Sequence, residues 1–237
     1  MRWSDQAIIL SVHKFGESGA VVKLFSREQG IYSGAVRGAM SKANRGIYQV
    51  GNIVQALWNA RTEDQLGNLH SELEEPVAAF FMQDQAKLLA MSSALALSEL
   101  GLAEHDPHPV LYDHLYYLLQ RLKHDLPWQE AYVKLELTIL TESGFGLDLE
   151  SCAATDTSEN LIYVSPKSGR AVCAEAGEPY KDKLFRLPDF YGEFDIADGL
   201  RLTGYFLEHR MLEAHHKQMP ATRNRLAALL SRHMAAV

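Results

Sequence analysis

Three basic residues lie close together in the stretch from Val36 to Gly46, and their types suit the binding of a polyanion. Small and polar residues separate Arg37, Lys42 and Arg45, a spacing typical of a loop rather than of a face turned into a core. Guanidinium and ammonium groups pair with phosphates, and this pairing supplies most of the affinity in sequence-independent nucleic-acid binding. A solvated hairpin loop is the alternative interpretation.

Neighbouring residues add to this pattern. Lys23 and Arg27 contribute two more charges on adjacent segments, and Tyr32 and Trp58 are aromatic rings that either stack on bases or fill a barrel core. Glycine lets the backbone approach phosphates closely, and three glycines occur in and beside the basic stretch: Gly34, Gly38 and Gly46.

Charge is distributed unevenly along the chain. Residues 1–61 contain eight Lys and Arg but three Asp and Glu, a net charge of about +5, whereas the whole chain of 237 residues carries −7. Such asymmetry favours a polyanion-binding module joined to a part with another role. Overall acidity argues against a protein that coats nucleic acid with its whole surface and is compatible with one localised basic face.

The elements that would position these residues are short strands. Apolar segments separated by turn-forming residues predict five of them, at 7–13, 20–26, 31–36, 53–58 and 65–70. Five short strands within about 75 residues fit an OB-type barrel, a common platform for nucleic acid. We therefore predict an OB-fold domain over residues 1–76.

The pattern becomes helical after Pro76. Periodic apolar residues predict helical regions at 77–101, 109–124, 128–143, 199–215 and 221–235. Residues 150–182 read as an irregular insertion with short strands at 161–164 and 171–173. The predicted fold class is α+β, with a helical domain over residues 77–237.

Two cysteines within the insertion resemble half of a zinc ribbon. Cys152 and Cys173 have the separation of two C-x-x-C pairs, but Thr155 and Ala176 occupy the second position of each pair. Two thiolates cannot close a tetrahedral structural site, so we predict no metal. Two cysteines also make no disulfide framework, which favours a reducing, cytoplasmic location.

Motifs of catalysis are absent from the sequence. There is no nucleotide-binding P-loop, no nucleophile elbow and no carboxylate cluster of a two-metal nuclease. We therefore predict a protein that is not an enzyme and needs no cofactor. The sequence also contains no apolar run of 18 residues and no secretory signal at its start.

Lys134 suggests a second kind of site. It lies within a predicted helix near Tyr132, Leu135 and Leu137, and a cation rimmed by apolar side chains can hold a peptide carboxylate. A solvated lysine is the simpler interpretation of the periodicity.

These segments together resemble the RecO family of bacterial recombination mediators. The resemblance spans the chain and depends on the order and spacing of several motifs. They are Ala7–Leu10, Gly16–Ser18, Leu24–Gly30, Val36–Ala39 with Ser41-Lys42, Lys134–Leu137, Leu140, Gly144–Leu149, Cys152 and Tyr163–Cys173.

The resemblance implies an OB domain followed by a helical domain with a zinc-ribbon-like insertion. It implies a nucleoid-associated protein that binds single- and double-stranded DNA and anneals complementary strands. It also implies contact with the acidic C-terminal tail of the single-stranded DNA-binding protein SSB. The implied partner is RecR, with which the family helps RecA replace SSB on gapped DNA.

The resemblance also assigns residues. Arg37 and Lys42 match the family's DNA-binding loop, and Arg45 matches it more loosely. Lys134 falls where relatives have a basic residue that receives the SSB tail, and Arg121 is the second candidate. The alternative from another class is a scaffold that binds proteins through its helical domain and does not bind DNA. A nuclease or deaminase is disfavoured by the shortage of clustered metal ligands.

Overall fold

The structure, a computed structural model, describes residues 1–62, 65–81, 83–190 and 192–234, with the backbone alone for 232–234. It has the predicted α+β architecture, an N-terminal barrel followed by a helical domain. The barrel strands are Arg2–Phe15 (β1), Gly19–Ser26 (β2), Gly30–Val36 (β3), Ile53–Asn59 (β4) and Gly67–Glu75 (β5).

The five strands form a closed, OB-like barrel in the order β1-β2-β3-β5-β4. All neighbouring strands are antiparallel except β3 and β5, which close the barrel as a parallel pair. That pair has two residue partners, Gly34 with Gly67 and Ala35 with Asn68. The fifth strand is longer than predicted and runs to Glu75, because it pairs along the whole length of β4.

The apolar run at the centre of β1 shows how the barrel meets the rest of the chain. Ala7 and Ile9 point into the barrel core, whereas Ile8 and Leu10 belong to the core of the helical domain. All four are buried because successive side chains of a strand point to opposite faces and both faces are covered here. The helical domain therefore packs directly on the outside of the barrel.

A backbone contact fixes this packing at the start of β3. The amide of His105 donates a hydrogen bond to the carbonyl of Ile31 at 3.0 Å. Gly30 has φ +81°, and a Cβ built on it would lie 2.2 Å from the carbonyl oxygen of Asp106. Only glycine satisfies both the positive φ and the close approach.

The helical domain contains six helices within its described residues. They are Gln85–Gly101 (α1), Pro109–Lys123 (α2), Gln129–Glu142 (α3), the short Ala174–Gly177 (α4), Ile196–Phe206 (α5) and Ala221–Met234 (α6). A π-helical segment, Leu207–Leu212, continues α5, and 3-10 turns occupy Val77–Phe81 and Glu178–Lys183.

The predicted helical region 77–101 is therefore two elements. The 3-10 turn ends at Phe81, and α1 begins after Asp84, whose carboxylate accepts a hydrogen bond from the Lys87 amide at 3.1 Å. This capping bond satisfies one of the amides that a helix start leaves without an intrahelical partner. Residue 235, at the predicted end of the last helix, lies outside the described residues.

The insertion is more regular than predicted. Its strands Asp148–Cys152 (β6), Leu161–Val164 (β7), Arg170–Cys173 (β8) and Phe185–Arg186 (β9) form one sheet in the order β6-β8-β7-β9. The Sγ atoms of Cys152 and Cys173 lie 3.5 Å apart, and the Thr155 hydroxyl lies 3.7 Å from the Sγ atom of Cys173. Likeness to a zinc ribbon stays a prediction. No group of three or more His, Cys, Asp and Glu is placed to hold a metal within the described part of the chain.

One buried ion pair joins the helices. Arg223 of α6 donates to both carboxylate oxygens of Glu136 of α3, at 2.5 and 3.0 Å, and Thr203 of α5 donates to the same carboxylate. The hydroxyl of Tyr132 lies 2.6 Å from that of Ser93 on α1. Burial, together with the charge of Glu136, raises the pKa of Tyr132 well above its ordinary value. The network thus links four helices. No described helix has the length and apolarity needed to cross a membrane.

Removing one partner of this pair should destabilise the protein strongly. Glu136→Ala leaves the Arg223 guanidinium buried without a carboxylate, and such a loss costs about 3–5 kcal/mol. Urea unfolding followed by circular dichroism should show a free energy of unfolding lower by about that amount. The double variant Glu136→Leu with Arg223→Met removes both charges and should recover most of the loss. A single variant as stable as the wild type would contradict this role.

Candidate nucleic-acid interface

The connection between β3 and β4 holds the basic loop, residues 37–46, which is compactly folded. The amide of Ser41 donates to the carbonyl of Gly38 at 3.0 Å, and the amide of Arg45 donates to the carbonyl of Ser41 at 2.9 Å. The side-chain amide of Asn44 also donates to the Gly38 carbonyl, at 3.1 Å. Gly38 has φ +67°, a conformation that favours glycine. The loop is therefore a folded turn that displays its side chains.

Three contacts hold the loop and the residues that follow it on the barrel. Ala39 is fully buried in the barrel core, and the amide of Met40 donates to the carbonyl of Ser18 in the turn between β1 and β2, at 3.0 Å. Tyr48 is buried, and its hydroxyl accepts a hydrogen bond from the Ser71 amide at 3.1 Å. These contacts attach the loop to the barrel, so the loop forms part of one end of the barrel.

The cations of the loop are exposed, and no described carboxylate pairs with them. Arg37, Lys42 and Arg45 all lie at the surface. None of them forms an ion pair with any residue that the structure describes. Their charges are therefore available to a phosphate without first breaking an internal contact.

Lys23 and Arg27 are placed differently. The Lys23 ammonium lies 2.9 Å from Glu104 and 3.2 Å from Glu99. Arg27 donates to both carboxylate oxygens of Asp113, at 2.8 and 2.9 Å. These partners belong to the helical domain, so both cations join the barrel to it, and the structure does not bring either into contact with the basic loop.

The pKa values reflect this pairing. Burial lowers the pKa of Lys23, but hydrogen bonds and charges from Glu104 and Glu99 outweigh that effect, and the net shift is upward. The Arg27 guanidinium lowers the pKa of Asp113. Both cations have a carboxylate partner already, which reduces their availability to a phosphate.

The two strand aromatics are core residues. Tyr32 and Trp58 are 3% and 0% exposed, and their ring centroids lie 4.9 Å apart in an edge-to-face arrangement. The indole nitrogen of Trp58 donates to the carbonyl of Ser33 at 2.9 Å. The interpretation of these rings as a stacking surface for bases is therefore wrong, because the barrel closes around both.

Gly34 likewise allows close packing inside the barrel and does not serve to let the backbone approach a phosphate. It lies at the β3–β5 seam, where a Cβ would come within 2.6 Å of the Cβ of Leu69. Its partner Gly67 faces Trp58, and a Cβ there would lie 2.2 Å from the indole ring. Gly46, in contrast, has no atom within 4 Å of a built Cβ and lies in open space.

An open cavity of about 450 Å³ lies beside the basic loop, where β3 and β5 separate beyond their two paired residues. Its walls come from both strands and from the loop. The lining residues are Ala35, Val36, Arg37, Asn44, Ile47, Tyr48, Asn68, Leu69, His70 and Ser71. The cavity thus shares Arg37 and Asn44 with the loop.

Lys134 lies on the exposed side of α3, where its ammonium is 2.5 Å from Glu130 and 5.4 Å from the ring centroid of Phe190. The neighbours Tyr132 and Leu135 are fully buried in the helical core. At 100° per residue these two lie on other faces of the helix and do not rim Lys134, whereas the half-buried Leu137, at i+3, lies on the same side as Lys134. Phe190 supplies a further apolar surface.

Arg121 lies on the neighbouring helix of the same antiparallel hairpin. Its guanidinium is 5.3 Å from the ring centroid of Tyr117 and donates to the Tyr117 hydroxyl at 2.7 Å. It also donates to the carbonyl of Pro127. No contact joins Arg121 to Lys134 among the residues described, so the hairpin presents two separate cations.

A closed OB-like barrel with an exposed basic loop, joined to a helical domain, defines a class of two-domain barrel proteins. Sequence comparison identifies the family. Residues 1–77 match the family described as Recombination protein O N terminal, and residues 82–219 match Recombination protein O C terminal. The chain therefore belongs to the RecO family, which has a role in DNA repair and recombination.

Similar proteins cover nearly the whole chain. The DNA repair protein RecO of Rhodospirillum centenum is 43% identical over 233 residues, which cover 95% of this chain and 93% of that protein. The RecO protein of Bartonella tribocorum is 41% identical, with coverage of 98% and 96%. That of Rhodospirillum rubrum is also 41% identical, with coverage of 100% and 99%.

Sequence reasoning missed the cavity and the residues that line it on β5. Asn68, His70 and Ser71 are polar residues in or just after a predicted strand, and such residues ordinarily face solvent. The parallel pairing of Gly34 with Gly67 marks where the cavity begins. The glycine at the start of β5 was the one available signal, because glycine in a strand often marks a close approach.

Gly67→Ala should test how the barrel closes beside this cavity. The new methyl group would overlap the buried Trp58 ring, and overpacking a core typically costs about 1–3 kcal/mol. Urea unfolding followed by tryptophan fluorescence should therefore show a lower free energy of unfolding. Gly46→Ala is the matched control, since the site is open, and it should change stability little. Equal stability of the two variants would contradict the described seam.

Proposed function

We propose that this protein is a DNA-binding recombination mediator that holds single- and double-stranded DNA at the basic loop. The observation that carries this proposal is the group of three exposed cations, Arg37, Lys42 and Arg45, none paired with a described carboxylate. Membership of a DNA repair family supports the same conclusion. Contacts of this kind go to phosphates and carry no sequence information.

Its mechanism is physical and involves no bond making. A loop that binds phosphates without reading bases can hold two complementary strands, which raises their effective concentration for pairing. The protein thus anneals strands, and with RecR it helps RecA replace SSB on gapped DNA. Lys23 and Arg27 act in this proposal as contacts that orient the barrel, because each is paired with a carboxylate of the helical domain.

The double variant Arg37→Ala with Lys42→Ala should weaken DNA binding and reduce its dependence on salt. Each phosphate contact to a single strand contributes about 0.7 to the slope of log K against log salt, so the slope should fall by about 1.4. Fluorescence anisotropy of a labelled single-stranded oligonucleotide across a salt series measures both quantities. Stability should stay within about 0.5 kcal/mol, because both side chains are exposed.

A second double variant, Lys167→Ala with Lys183→Ala, serves as the control. It removes the same total charge from exposed positions in and beside the β6–β9 sheet. Its salt slope should match that of the wild type. A folded Arg37 and Lys42 variant that binds as well as this control would refute the loop as the DNA site. Wild-type protein that does not bind at low salt would favour the scaffold alternative.

We propose in addition that the α2–α3 hairpin receives the acidic C-terminal tail of SSB. Lys134 is exposed beside Phe190, a combination suited to a terminal carboxylate next to an apolar residue. Arg121 is the second cation, and two of its five N–H donors are already used by Tyr117 and Pro127. The ion pair of Lys134 with Glu130 is exposed and therefore weak, so a tail carboxylate can displace it.

Lys134→Ala should weaken binding of an acidic peptide that ends in an apolar residue with a free carboxylate. One charge-assisted contact contributes about 1.5–3 kcal/mol, so the dissociation constant should rise about tenfold or more. Glu130→Gln should act in the opposite direction, because it removes the competing carboxylate. Isothermal titration calorimetry measures both effects, with Lys167→Ala as control. If the same peptide with an amidated C-terminus binds equally well, the carboxylate clamp is ruled out.

A further inference from the structure

The cavity between β3 and β5 combines apolar and polar side chains in its lining. At about 450 Å³ it falls within the range of about 300–1,000 Å³ typical of small-molecule pockets. Apolar side chains of Val36, Ile47 and Leu69 form part of its wall. Apolar side chains can pack against the face of a base, which every nucleotide presents whatever its sequence.

Polar groups in the same cavity can meet the edge of a base. Asn44 and Asn68 each provide an amide, which both donates and accepts hydrogen bonds. Ser71 is 2% exposed, and its hydroxyl has no hydrogen-bond partner among the described residues. A buried hydroxyl without a partner is costly and rare, and Ser71 is one of the residues that line the cavity.

The charges of the lining distinguish a base from other ligands. Among the described residues of the lining, Arg37 is the one Lys or Arg, and none is an Asp or Glu. A pocket built for a phosphate group needs several converging donors of positive character, and a site for a cation needs carboxylates. Arg37 is also part of the basic loop, so a strand bound there has a phosphate at one edge of the cavity and a base within reach of the interior.

We propose that this cavity receives one nucleobase, turned out from the single strand that the basic loop holds. The inference rests on the proposed function, since the loop must first bind the strand. A base site adds a preference for single strands over duplex DNA, which phosphate contacts alone do not give. A base in a duplex is paired and stacked, and its entry would require extrusion at a cost of a few kcal/mol. The cavity therefore favours single strands.

The test compares two labelled oligonucleotides of equal length with the full-length protein. One is a thymidine oligomer, and the other carries the same phosphates but has abasic sites in place of its bases. Contact with a base typically contributes about 1–3 kcal/mol, so the wild type should bind the thymidine oligomer about fivefold or more tightly in fluorescence anisotropy.

Two variants test whether the cavity causes the preference for the thymidine oligomer. Asn68→Leu replaces an exposed amide at the edge, and Ser71→Ala removes the unpartnered hydroxyl without adding bulk. Both should reduce the preference for thymidine and leave binding of the abasic oligomer unchanged. Lys42→Ala with Arg45→Ala, which lies outside the cavity lining, should weaken binding of both oligomers by the same factor and preserve their ratio.

The outcomes separate this inference from the function on which it rests. Equal binding of the two oligomers by the wild type would overturn the base site and leave DNA binding by the loop intact. A thymidine preference that persists in both Asn68→Leu and Ser71→Ala would place the base contact elsewhere and also overturn the inference. Failure to bind either oligomer at low salt would overturn the proposed function, and the base site with it.

Discussion

The close approach of the helical domain to the start of β3 determines which surfaces of the barrel stay open. A Cβ at Gly30 would overlap the carbonyl of Asp106, so the two backbones meet with no side chain between them. Lys23 and Arg27 reinforce the contact from β2 and the turn after it. One side of the barrel is thereby covered by helices, and the end that carries the basic loop remains accessible.

The loop and most of the secondary structure could be predicted from the sequence because their signals are local. Alternating apolar residues and glycine-containing turns define the barrel strands, and a basic stretch between two strands is visible without any structure. The pairing of Lys23 and Arg27 could not be predicted in this way. Their partners, Glu99, Glu104 and Asp113, lie far along the chain, and no local pattern distinguishes a paired cation from a free one.

The cavity, and the side of the sheet on which an aromatic residue lies, also depend on contacts between distant parts of the chain. Trp58 lies on the fully apolar face of β4, which favours the core, but both faces of β3 carry apolar residues. For Tyr32 the closure of the barrel therefore decides which face is inside. That closure depends on the parallel pair β3–β5, in which Gly34 and Gly67 face bulky neighbours. The cavity exists because the pair is short, and pairing between strands so distant in sequence is a tertiary property.

The uneven charge of the chain has a consequence for its approach to other molecules. A basic loop at one end of a molecule whose net charge is −7 gives the protein an electric dipole. In the field of any polyanion the acidic body is repelled while the loop is attracted, so the protein rotates and arrives with the loop in front. The acidity of the helical domain thus orients the molecule before contact, and this effect weakens as salt shortens the range of the field.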